Sequence, residues 1–438
     1  MARGVNVLLK PIIEVYPVVP AKSEEERAAL RPIGRNVERY QDALMGACEI
    51  VKHADEIGFW GAAAIEHHFH SEGYEAAPVP GILNAYWAAL TKRLHLGQLG
   101  YVLGTHNPIR VAEETAMLSH LTQGRSFVGL ARGYQSRWTG ILGQHYGSRP
   151  TKSPDADFNQ AAQAAGFTQT AIAQKDYDDD AINRALFEEH VDVMLKAWTQ
   201  PSFHHKGRNW QVPFPFEAGI ADWPLAKAGV TQKFGAQGEV DETGVIRAVS
   251  VAPAPYQKPH PPVFVSGSGT PATIEYTARM GFHPVYFCNI ETSERLAKIY
   301  LTTSRQSGFD VRYGEKQAMV RWIYIGRTDD EARRLAEEYD AEIWKNFYGA
   351  MGRRAAVANP MQSAFSTGLI CAGSVETVRK ELVRQFMLVP AEHLVFVTHY
   401  AMTPMDFVQE NMSLFIEKVK PAIDEVLHKH HKKVPLAI

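Results

Sequence analysis

The chain has 438 residues, of which 45% are hydrophobic and 21% charged, a composition that predicts a globular protein with a sizeable core and excludes global disorder. Its 46 basic and 48 acidic residues nearly cancel, which argues against a nucleic acid, a membrane surface or a polyanion as the partner. The expected ligand is a small molecule that is not recognised by bulk charge.

The cysteines and the N-terminus indicate the compartment. The cysteines are odd in number, far apart and without CxxC spacing, which argues against a disulfide framework and a zinc ribbon; they are Cys48, Cys288 and Cys371. The opening stretch MARGVNVLLKPIIEVYPVVP has short apolar runs that Lys10 and Glu14 interrupt, so it fits neither a signal peptide nor a membrane span. We therefore expect a cytoplasmic protein.

Apolar segments of strand length recur along the chain. FWGAAAI, for example, is a continuous apolar run, which is typical of a strand buried on both faces of a parallel sheet. Eight segments are predicted strands: VNVLL, FWGAAAI, LHLGQLGYVL, RSFVGLARG, PPVFVSGSG, HPVYFCN, AMVRWIYIG and HLVFVTHY.

Helical patterns separate most of these strands. Between residues 36 and 57 apolar positions recur every three or four residues, which predicts a helix buried on one face, and Gly58 ends it. Thr328 and Glu331 form a capping box that opens a later helix. Strands that alternate with helices without a change of composition predict one α/β domain over residues 1–438. The predicted fold is a (β/α)8 TIM barrel with insertions at the C-terminal face of the strands.

Three stretches are longer than ordinary connections. Residues 148–180 are rich in Ala, Gln and Asp, residues 214–247 contain Gly, Pro and Trp, and residues 349–368 are mixed in character. The first two are interpreted as insertions. Lids or walls of a substrate pocket are one interpretation, and passive surface excursions are the other.

The stretch AAAIEHHFHSEGYE follows the second predicted strand with a carboxylate and three imidazoles. A metal site is one interpretation, because His68 and His70 share a face of a strand. Such a site needs further ligands, and His106, His283 and His399 have no carboxylate in a matching context. We therefore predict no metal.

Acid–base catalysis by one imidazole is the second interpretation of this stretch. Histidine titrates near neutral pH, so His67 can take a proton from a substrate or a bound oxygen species. Glu66 points to the opposite face of the strand and can fix the strand end. Three histidines within four positions favour this function over packing at a polar rim. The predicted catalytic residues are His67, Glu66 and His68.

A turn rich in glycine and serine joins the fifth predicted strand to a helix. In SGSGTPAT, residues 266–273, backbone N–H groups and the helix dipole favour an anion such as phosphate, and the hydroxyls add donors. Arg132, at the end of the neighbouring predicted strand, can hold the same phosphate through two N–H groups. Taken alone, the turn is equally compatible with a plain strand-to-helix connection.

Five motifs, in their order and spacing, resemble one family. They are EHHF, THNPIRVAEE, LTQGRSFVGLARG, PPVFVSGSGTPATIEYTARMG and GSVETVRKEL. From about Val5 to Leu427, outside the two insertions, the chain resembles the bacterial luciferase-like flavin-dependent monooxygenases. The resemblance implies a (β/α)8 barrel that binds reduced FMN from a separate flavin reductase. It also implies that O2 adds at flavin C4a to give a peroxide, which oxygenates a small, largely apolar substrate.

The resemblance also implies roles for single residues. His67 matches the catalytic base of the family. Leu99 and Gly100 match the pair whose non-prolyl cis peptide lies against the isoalloxazine ring. The positions that match the phosphate-binding residues are Arg132, Ser266, Gly267, Ser268, Gly269, Thr270 and Thr273.

Departures from the family pattern limit these implications. Ala131 stands where luciferase has a reactive cysteine, and the phosphate turn has one residue more and lacks the family's acidic residue. The insertions have no counterpart in luciferase, so no particular substrate is implied. Two alternatives stay open: a deazaflavin F420-dependent oxidoreductase of the same superfamily, and a non-catalytic flavin-binding relative.

A homodimer or a higher homo-oligomer is expected, because members of the family usually pair through helices that follow early strands. Ala112, Ala116 and His120 lie on one such predicted helix, IRVAEETAMLSHL. Their side chains are the candidate contacts for close packing of helices between two copies.

Overall fold

A computed structural model describes residues 8–133, 135–150, 174–266, 270–350, 359–400 and 402–433. Two compact units divide the chain. The described residues of the first unit fall within 8–101 and 263–433, and those of the second within 102–150 and 174–262.

Twelve strands lie in the part of the chain that the structure describes. In chain order they are β1 Lys10–Val15, β2 Gly61–Ala64, β3 His95–Gln98, β4 Tyr101–Val102, β5 Val128–Ala131, β6 His205–Lys206, β7 Gln211–Val212, β8 Val263–Val265, β9 His283–Tyr286, β10 Ala318–Gly326, β11 Ile370–Ser374 and β12 His393–Thr398. In the first unit the strands follow the order β3-β2-β1-β12-β10-β9-β8, with β11 beside β10. The pairings along this order are parallel. β6 and β7 form an antiparallel pair in the second unit.

Helices connect most of the strands, as the sequence patterns predict. The α-helices are Glu24–Ala29, Val37–Ile57, Pro80–Leu90, Pro108–Leu121, Ser136–Ile141, Gln174–Thr199, Pro224–Lys227, Val230–Phe234, Pro271–Arg279, Ile290–Gln306, Asp329–Ile343, Pro360–Ser366, Val375–Leu388, Met405–Leu414 and Lys420–Lys433. Short 3₁₀ turns cover Ile33–Arg35 and Leu103–Thr105, and π-helical turns cover Trp344–Tyr348 and Phe415–Val419. Among these described residues, no helix is both long enough and apolar enough to cross a membrane.

Side-chain alternation along three neighbouring strands determines which residues face away from the helices. Ile13 and Val15 of β1, Met319 and Ile323 of β10, and Leu394 and Phe396 of β12 belong to the core that packs against the helices. Residues at the intervening positions lie on the opposite face, because successive side chains of a strand alternate. That face carries five polar or aromatic side chains at the carboxyl ends of these strands: Glu14, Tyr16, Trp322, Tyr324 and His399.

The first strand differs from the prediction. It runs from Lys10 to Val15, after VNVLL rather than within it. Lys10 and Glu14 interrupt the apolar pattern, yet both fit this strand: Lys10 pairs with Glu392 at its start, and Glu14 is buried near its end. Residues 5–7 lie outside the described part of the chain.

The strand Ile370–Ser374 is a second difference, because the sequence patterns did not predict it. It follows the helix Pro360–Ser366, which forms part of the long connection 349–368. The segment is too short to stand out in the sequence.

Contacts within the second unit correct the predicted dimer contacts. Ala112 and Ala116 are fully buried within the chain, on the helix Pro108–Leu121, which packs against the helix Gln174–Thr199. The indole Nε1 of Trp198 donates to the carbonyl of Ala112 over 3.0 Å. These two alanines are therefore unavailable to a second copy, whereas His120 is exposed.

The predicted insertion at residues 214–247 belongs to the second unit. Residues 214–247 contain the helices Pro224–Lys227 and Val230–Phe234, and a bridge between Ile220 and Ile246 ties their flanks together. Residues 151–173 of the other insertion lie outside the described part of the chain. Its last residues begin the helix Gln174–Thr199.

Candidate active site

The segment after β2 carries the predicted catalytic residues. Ala62 and Ala64 of β2 pack into the helix-facing core, so the alternation brings His67 to the opposite face. Two non-glycine residues of this segment have positive φ angles, 63° at Phe69 and 47° at Glu75. Such conformations are uncommon for residues with a side chain, and they concentrate at functional sites.

Glu75 is the partner of His67. Its Oε2 lies 2.7 Å from Nδ1 of His67, and the carboxylate is 1% exposed. The hydroxyl of Tyr348 donates to its other oxygen, and Nε2 of His399 lies 3.8 Å from that oxygen. Burial alone would raise the pKa of Glu75, but the two imidazoles and the tyrosine hydroxyl hold it below its ordinary value. Glu75 is therefore an ionised acceptor beneath His67.

Glu66 and His68 form a second pair in the same segment. Nε2 of His68 lies 2.6 Å from Oε1 of Glu66, whose side chain is buried. The sequence analysis expected Glu66 to fix the strand end, and its carboxylate does hold a neighbouring side chain. It orients His68, whereas His67 pairs with a carboxylate eight positions further along the chain.

The same segment is fixed to two helices of the first unit. The hydroxyl of Tyr74 donates to Glu342 over 2.8 Å, and the guanidinium of Arg27 pairs with the same carboxylate. Arg27 also lies over the ring of Tyr74, at 4.5 Å from its centroid, and donates to the carbonyl of Glu72 over 3.1 Å. The ring of Phe347 lies 6.3 Å from that of His67. These contacts hold the backbone around Glu75 in place.

A buried carboxyl group, that of Glu14, lies on the same face of the sheet. The hydroxyl of Tyr16 donates to Oε2 of Glu14 over 3.0 Å, and Oε1 of Glu14 is buried without a hydrogen-bond partner among the described residues. Burial, with a contribution from the charge of Glu75, raises the pKa of Glu14 well above its ordinary value. Glu14 therefore holds its proton more tightly than an exposed carboxyl group does.

His399 has a carboxylate partner, contrary to the expectation from the sequence. Nδ1 of His399 lies 2.6 Å from Oδ2 of Asp340, and both side chains are fully buried. Burial alone would lower the pKa of His399, but the charges of Asp340 and Glu75 raise it above its ordinary value. No local signal in the sequence indicated this pair, because its members are 59 positions apart.

The positions that match flavin-binding residues are partly described. The peptide between Leu99 and Gly100 is cis, and it separates β3 from β4. Ser266 follows β8, and its hydroxyl oxygen is buried without a hydrogen-bond partner among the described residues. The hydroxyls of Thr270 and Thr273 lie 3.0 Å apart. Gly267, Ser268 and Gly269 lie outside the described residues.

The helix after this turn is Pro271–Arg279; Pro271 has no N–H, and the N–H groups of Thr273 and Ile274 donate to the carbonyl of Thr270. Thr270 is its N-cap, but no side chain caps it, and its first turn contains no acidic residue. An uncapped helix start beside a buried hydroxyl that lacks a partner is a suitable environment for a phosphate group. The described residues of the turn therefore fit the phosphate of FMN.

Arg132, in the second unit, has a carboxylate partner that the sequence analysis did not predict. Its Nη1 donates to Oδ1 of Asp180 over 2.8 Å, and Arg184 donates to the other oxygen of Asp180 over 3.1 Å. A guanidinium has five N–H donors, so this pair does not exhaust those of Arg132. Its role in phosphate binding stays a prediction.

Comparison with known proteins defines the class. Residues 29–392 match the family described as luciferase-like monooxygenases. The chain therefore belongs to the luciferase-like monooxygenase family, as its motifs predict.

Individual relatives cover the chain to different extents. It is 40% identical over 77 residues to the alkanal monooxygenase beta chain of Photobacterium leiognathi, an alignment that covers 18% of this chain and 23% of the relative. It is 23% identical over 307 residues to 3,6-diketocamphane 1,6-monooxygenase of Pseudomonas putida, covering 67% of this chain and 69% of the relative.

Solved structures confirm the predicted fold class, the (β/α)8 barrel of this family. The oxygenating constituent of 3,6-diketocamphane monooxygenase from Pseudomonas putida, a type II Baeyer–Villiger enzyme in complex with FMN, has a TM-score of 0.66 at 17% identity, covering 95% of this chain and 98% of that one. An F420-dependent secondary alcohol dehydrogenase has a TM-score of 0.59 at 15% identity, covering 95% and 99%.

Proposed function

We propose that the chain is a monooxygenase that uses reduced FMN and O2 to oxygenate a small, largely apolar organic molecule. The observation that carries the proposal is the buried Glu75 carboxylate 2.7 Å from Nδ1 of His67, just beyond the carboxyl end of β2. A carboxylate in this position favours the imidazole with its proton on Nδ1. Nε2 is then the nitrogen that exchanges a proton with a bound ligand.

Reduced FMN would supply the electrons that activate O2, while this chain binds it and controls the protons. Its phosphate fits the turn after β8, where the Ser266 hydroxyl lacks a partner among the described residues and the helix start is uncapped. Arg132 is the second proposed phosphate ligand. The peptide between Leu99 and Gly100 is the proposed support for the flavin ring.

Two kinds of carbonyl compound are suitable first substrates, because relatives of this chain are named for them: alkanals and a camphane diketone. The chain would be titrated anaerobically with reduced FMN and then mixed with ¹⁸O₂ and each compound, with free reduced FMN as the control. We expect binding of reduced FMN and one ¹⁸O atom in the product of at least one compound. If reduced FMN does not bind, or yields only hydrogen peroxide with every compound, the proposal is wrong.

An F420-dependent oxidoreductase is the second candidate function. The observation that favours it is the structural likeness to an F420-dependent secondary alcohol dehydrogenase. Such an enzyme transfers a hydride without O2, so it would bind F420 more tightly than FMN and convert its substrate anaerobically. Parallel titrations with F420 and FMN distinguish the two candidates.

Two proposals concern partners. Reduced FMN would come from a separate flavin reductase, so the purified chain alone should consume no NADH. The chain would also form a homodimer or a higher homo-oligomer, which light scattering at micromolar concentration can test. Because Ala112 and Ala116 are buried, the contact surface must use other residues.

A further inference from the structure

A chain of polar contacts leads from His67 into the interior of the first unit. Nδ1 of His67 lies 2.7 Å from Glu75, and the hydroxyl of Tyr348 donates to the other oxygen of that carboxylate. The same hydroxyl lies 2.8 Å from Nε2 of His399. Nδ1 of His399 lies 2.6 Å from Asp340. Five side chains therefore form a continuous path from the catalytic candidate to a buried carboxylate.

The protons along this path can be placed so that each donor faces an acceptor. When His399 is an imidazolium, it donates from Nδ1 to Asp340 and from Nε2 to the oxygen of Tyr348. Tyr348 then donates its own proton to Glu75. Glu75 receives this bond and still has an oxygen for the N–H of His67. Each donor meets an acceptor, and Nε2 of His67 remains the nitrogen that can accept a proton.

The groups that surround His399 support this charge assignment. Asp340 and Tyr348 approach from one helix and its π-helical turn, Tyr16 from β1 with its ring 5.5 Å away, and Glu75 from the segment after β2. From β10, the indole N–H of Trp322 is directed at Nε2 of His399 over 3.5 Å, a long contact that by itself favours an unprotonated Nε2 and is outweighed by the two carboxylates. The carboxylates whose charges raise the pKa of His399 are Asp340 and Glu75.

A purely stabilising role explains this arrangement poorly. The side chains of Glu75, Asp340 and His399 are at most 1% exposed. Removing charged groups from water costs free energy that ion pairing often fails to recover, so buried pairs are weak sources of stability. A network that costs stability but ends on a partly exposed histidine is better explained by a function at that histidine.

We propose that Tyr348 and His399 are positioning residues for His67. They keep Glu75 ionised and oriented, so that His67 holds its proton on Nδ1 and presents Nε2 to the ligand. The inference rests on the proposed function, because that function gives His67 its acid–base role. Neither residue touches the ligand in this account, since both act through Glu75.

The test measures the protonation of His67 in the flavin-free protein. ¹⁵N-histidine NMR reports the tautomer and the pH midpoint of each imidazole, and a His67→Gln spectrum identifies the signals of His67. Tyr348→Phe removes one hydroxyl and keeps the ring. His399→Asn removes the imidazole that lies between Asp340 and Tyr348. Each change takes positive charge or a donor away from Glu75, so the midpoint of His67 should rise, by about 1 pH unit.

Tyr313→Phe is the matched control. It removes a tyrosine hydroxyl from the same unit, but that hydroxyl donates to the carbonyl of Leu388 over 3.0 Å, away from Glu75. We expect it to leave the midpoint and the tautomer of His67 unchanged. If Tyr348→Phe folds like the wild type and gives the same midpoint and tautomer as Tyr313→Phe, the inference is wrong. Should His399→Asn fail to fold, Tyr348→Phe alone decides.

The NMR result is independent of the oxygenation assay. If the midpoint of His67 shifts in Tyr348→Phe but the wild type oxygenates no compound, the positioning role is retained and the proposed function is rejected. If the wild type oxygenates a compound but the midpoint does not shift in Tyr348→Phe, the proposed function is retained and the positioning role is rejected. When both hold, Tyr348→Phe should also move the pH profile of oxygenation in the direction of the NMR midpoint.

Discussion

Glu75 combines a buried carboxylate with a left-handed backbone, φ +47°. A residue with a side chain pays on the order of 1–3 kcal/mol for such a conformation. The surrounding contacts offset this cost, since Tyr74 is fixed to Glu342 and the carboxylate itself meets His67 and Tyr348. Because a strained backbone aims a charge at His67, we regard Glu75 as part of the functional site rather than of a plain loop.

Arg132→Ala tests the proposed phosphate site. A hydrogen bond to a charged group contributes about 1.5–3 kcal/mol, so reduced FMN should bind about 10- to 150-fold more weakly. Anaerobic fluorescence titration measures the affinity. Arg137→Ala, which removes the same charge from an exposed position five residues further on, should leave it unchanged. Equal affinities of wild type and Arg132→Ala would remove Arg132 from the site.

Single residues of the site could be predicted where several candidate side chains lie close together in the sequence. Three histidines in four positions pointed to His67 from the sequence alone. Glu75 and Asp340 gave no such signal, because one lies in an irregular segment and the other is an acidic residue on an acid-rich helix. The roles of Glu75 and Asp340 depend on contacts between residues that are far apart in the chain, and such contacts cannot be read from a single sequence.

One helix contributes several of the side chains that organise the site. The helix Asp329–Ile343 carries Asp340 and Glu342, and the π-helical turn that continues it carries Phe347 and Tyr348. A π-helical turn changes the direction in which the following side chains point, and such turns are frequent at functional sites. The helix itself was predicted from the capping box of Thr328 and Glu331, whereas no feature of the sequence predicted the π-helical turn.

The N-terminus of that helix allows a test of stability. The hydroxyl of Thr328 accepts from the N–H of Glu331 over 3.1 Å. Thr328→Ala should therefore lower the free energy of unfolding by about 1 kcal/mol, the usual effect of removing an N-cap. Urea denaturation followed by circular dichroism measures it. Thr302→Ala, at an exposed position inside the helix Ile290–Gln306, should change it by less than about 0.5 kcal/mol.

The capping box at this terminus was predicted only in part. Thr328 is the N-cap, as expected, but the carboxylate of Glu331 accepts from the N–H of Arg327, over 2.7 Å, rather than from that of Thr328. A side chain of this length reaches either N–H, and the guanidinium of Arg327 draws it one residue further. The sequence pattern therefore predicted the N-cap residue correctly, but not the N–H group that the carboxylate of Glu331 binds.

Over the whole molecule, acid should destabilise the fold through buried neutral histidines. Burial lowers the pKa of His393 to about 4 and that of His283 well below its ordinary value. Their contribution to stability is therefore complete above the unfolded value near 6.5 and is lost as the pH falls below it. The loss approaches about 1.4 kcal/mol per pH unit for each histidine. The pKa of His399 is raised instead, so its contribution to stability is present at low pH and is lost as the pH rises through that pKa.

His393→Asn isolates this effect. Between pH 6.5 and 4.5 its free energy of unfolding should fall less steeply than that of the wild type, by up to about 1.4 kcal/mol per pH unit. Denaturant titrations at several pH values measure the slope. His145→Asn, at an exposed position, should keep the wild-type slope. Parallel slopes for wild type and His393→Asn would contradict the account of buried neutral histidines.

The fold class was predictable because runs of apolar residues, and the residues that begin and end helices, are local signals in a sequence. Continuous apolar runs such as FWGAAAI, helices ended by residues such as Gly58, and prolines that open helices indicated parallel strands separated by helices. The predicted position of the first strand was wrong, because Lys10 and Glu14 interrupt its apolar pattern. Glu14 is buried on the face of the sheet that also carries His399, so the rule failed where a buried strand position holds a carboxyl group instead of an apolar side chain.

The central claim is that His67 handles a proton while other residues bind the flavin, and His67→Ala tests it most directly. The measurement is a single turnover of reduced FMN with O2 and a carbonyl compound that the wild type converts, scored as product per flavin. We expect unchanged affinity for reduced FMN and a loss of roughly 10²- to 10⁴-fold in the rate of product formation, the usual contribution of a positioned acid or base. A variant that binds reduced FMN and forms product at the wild-type rate would contradict the claim.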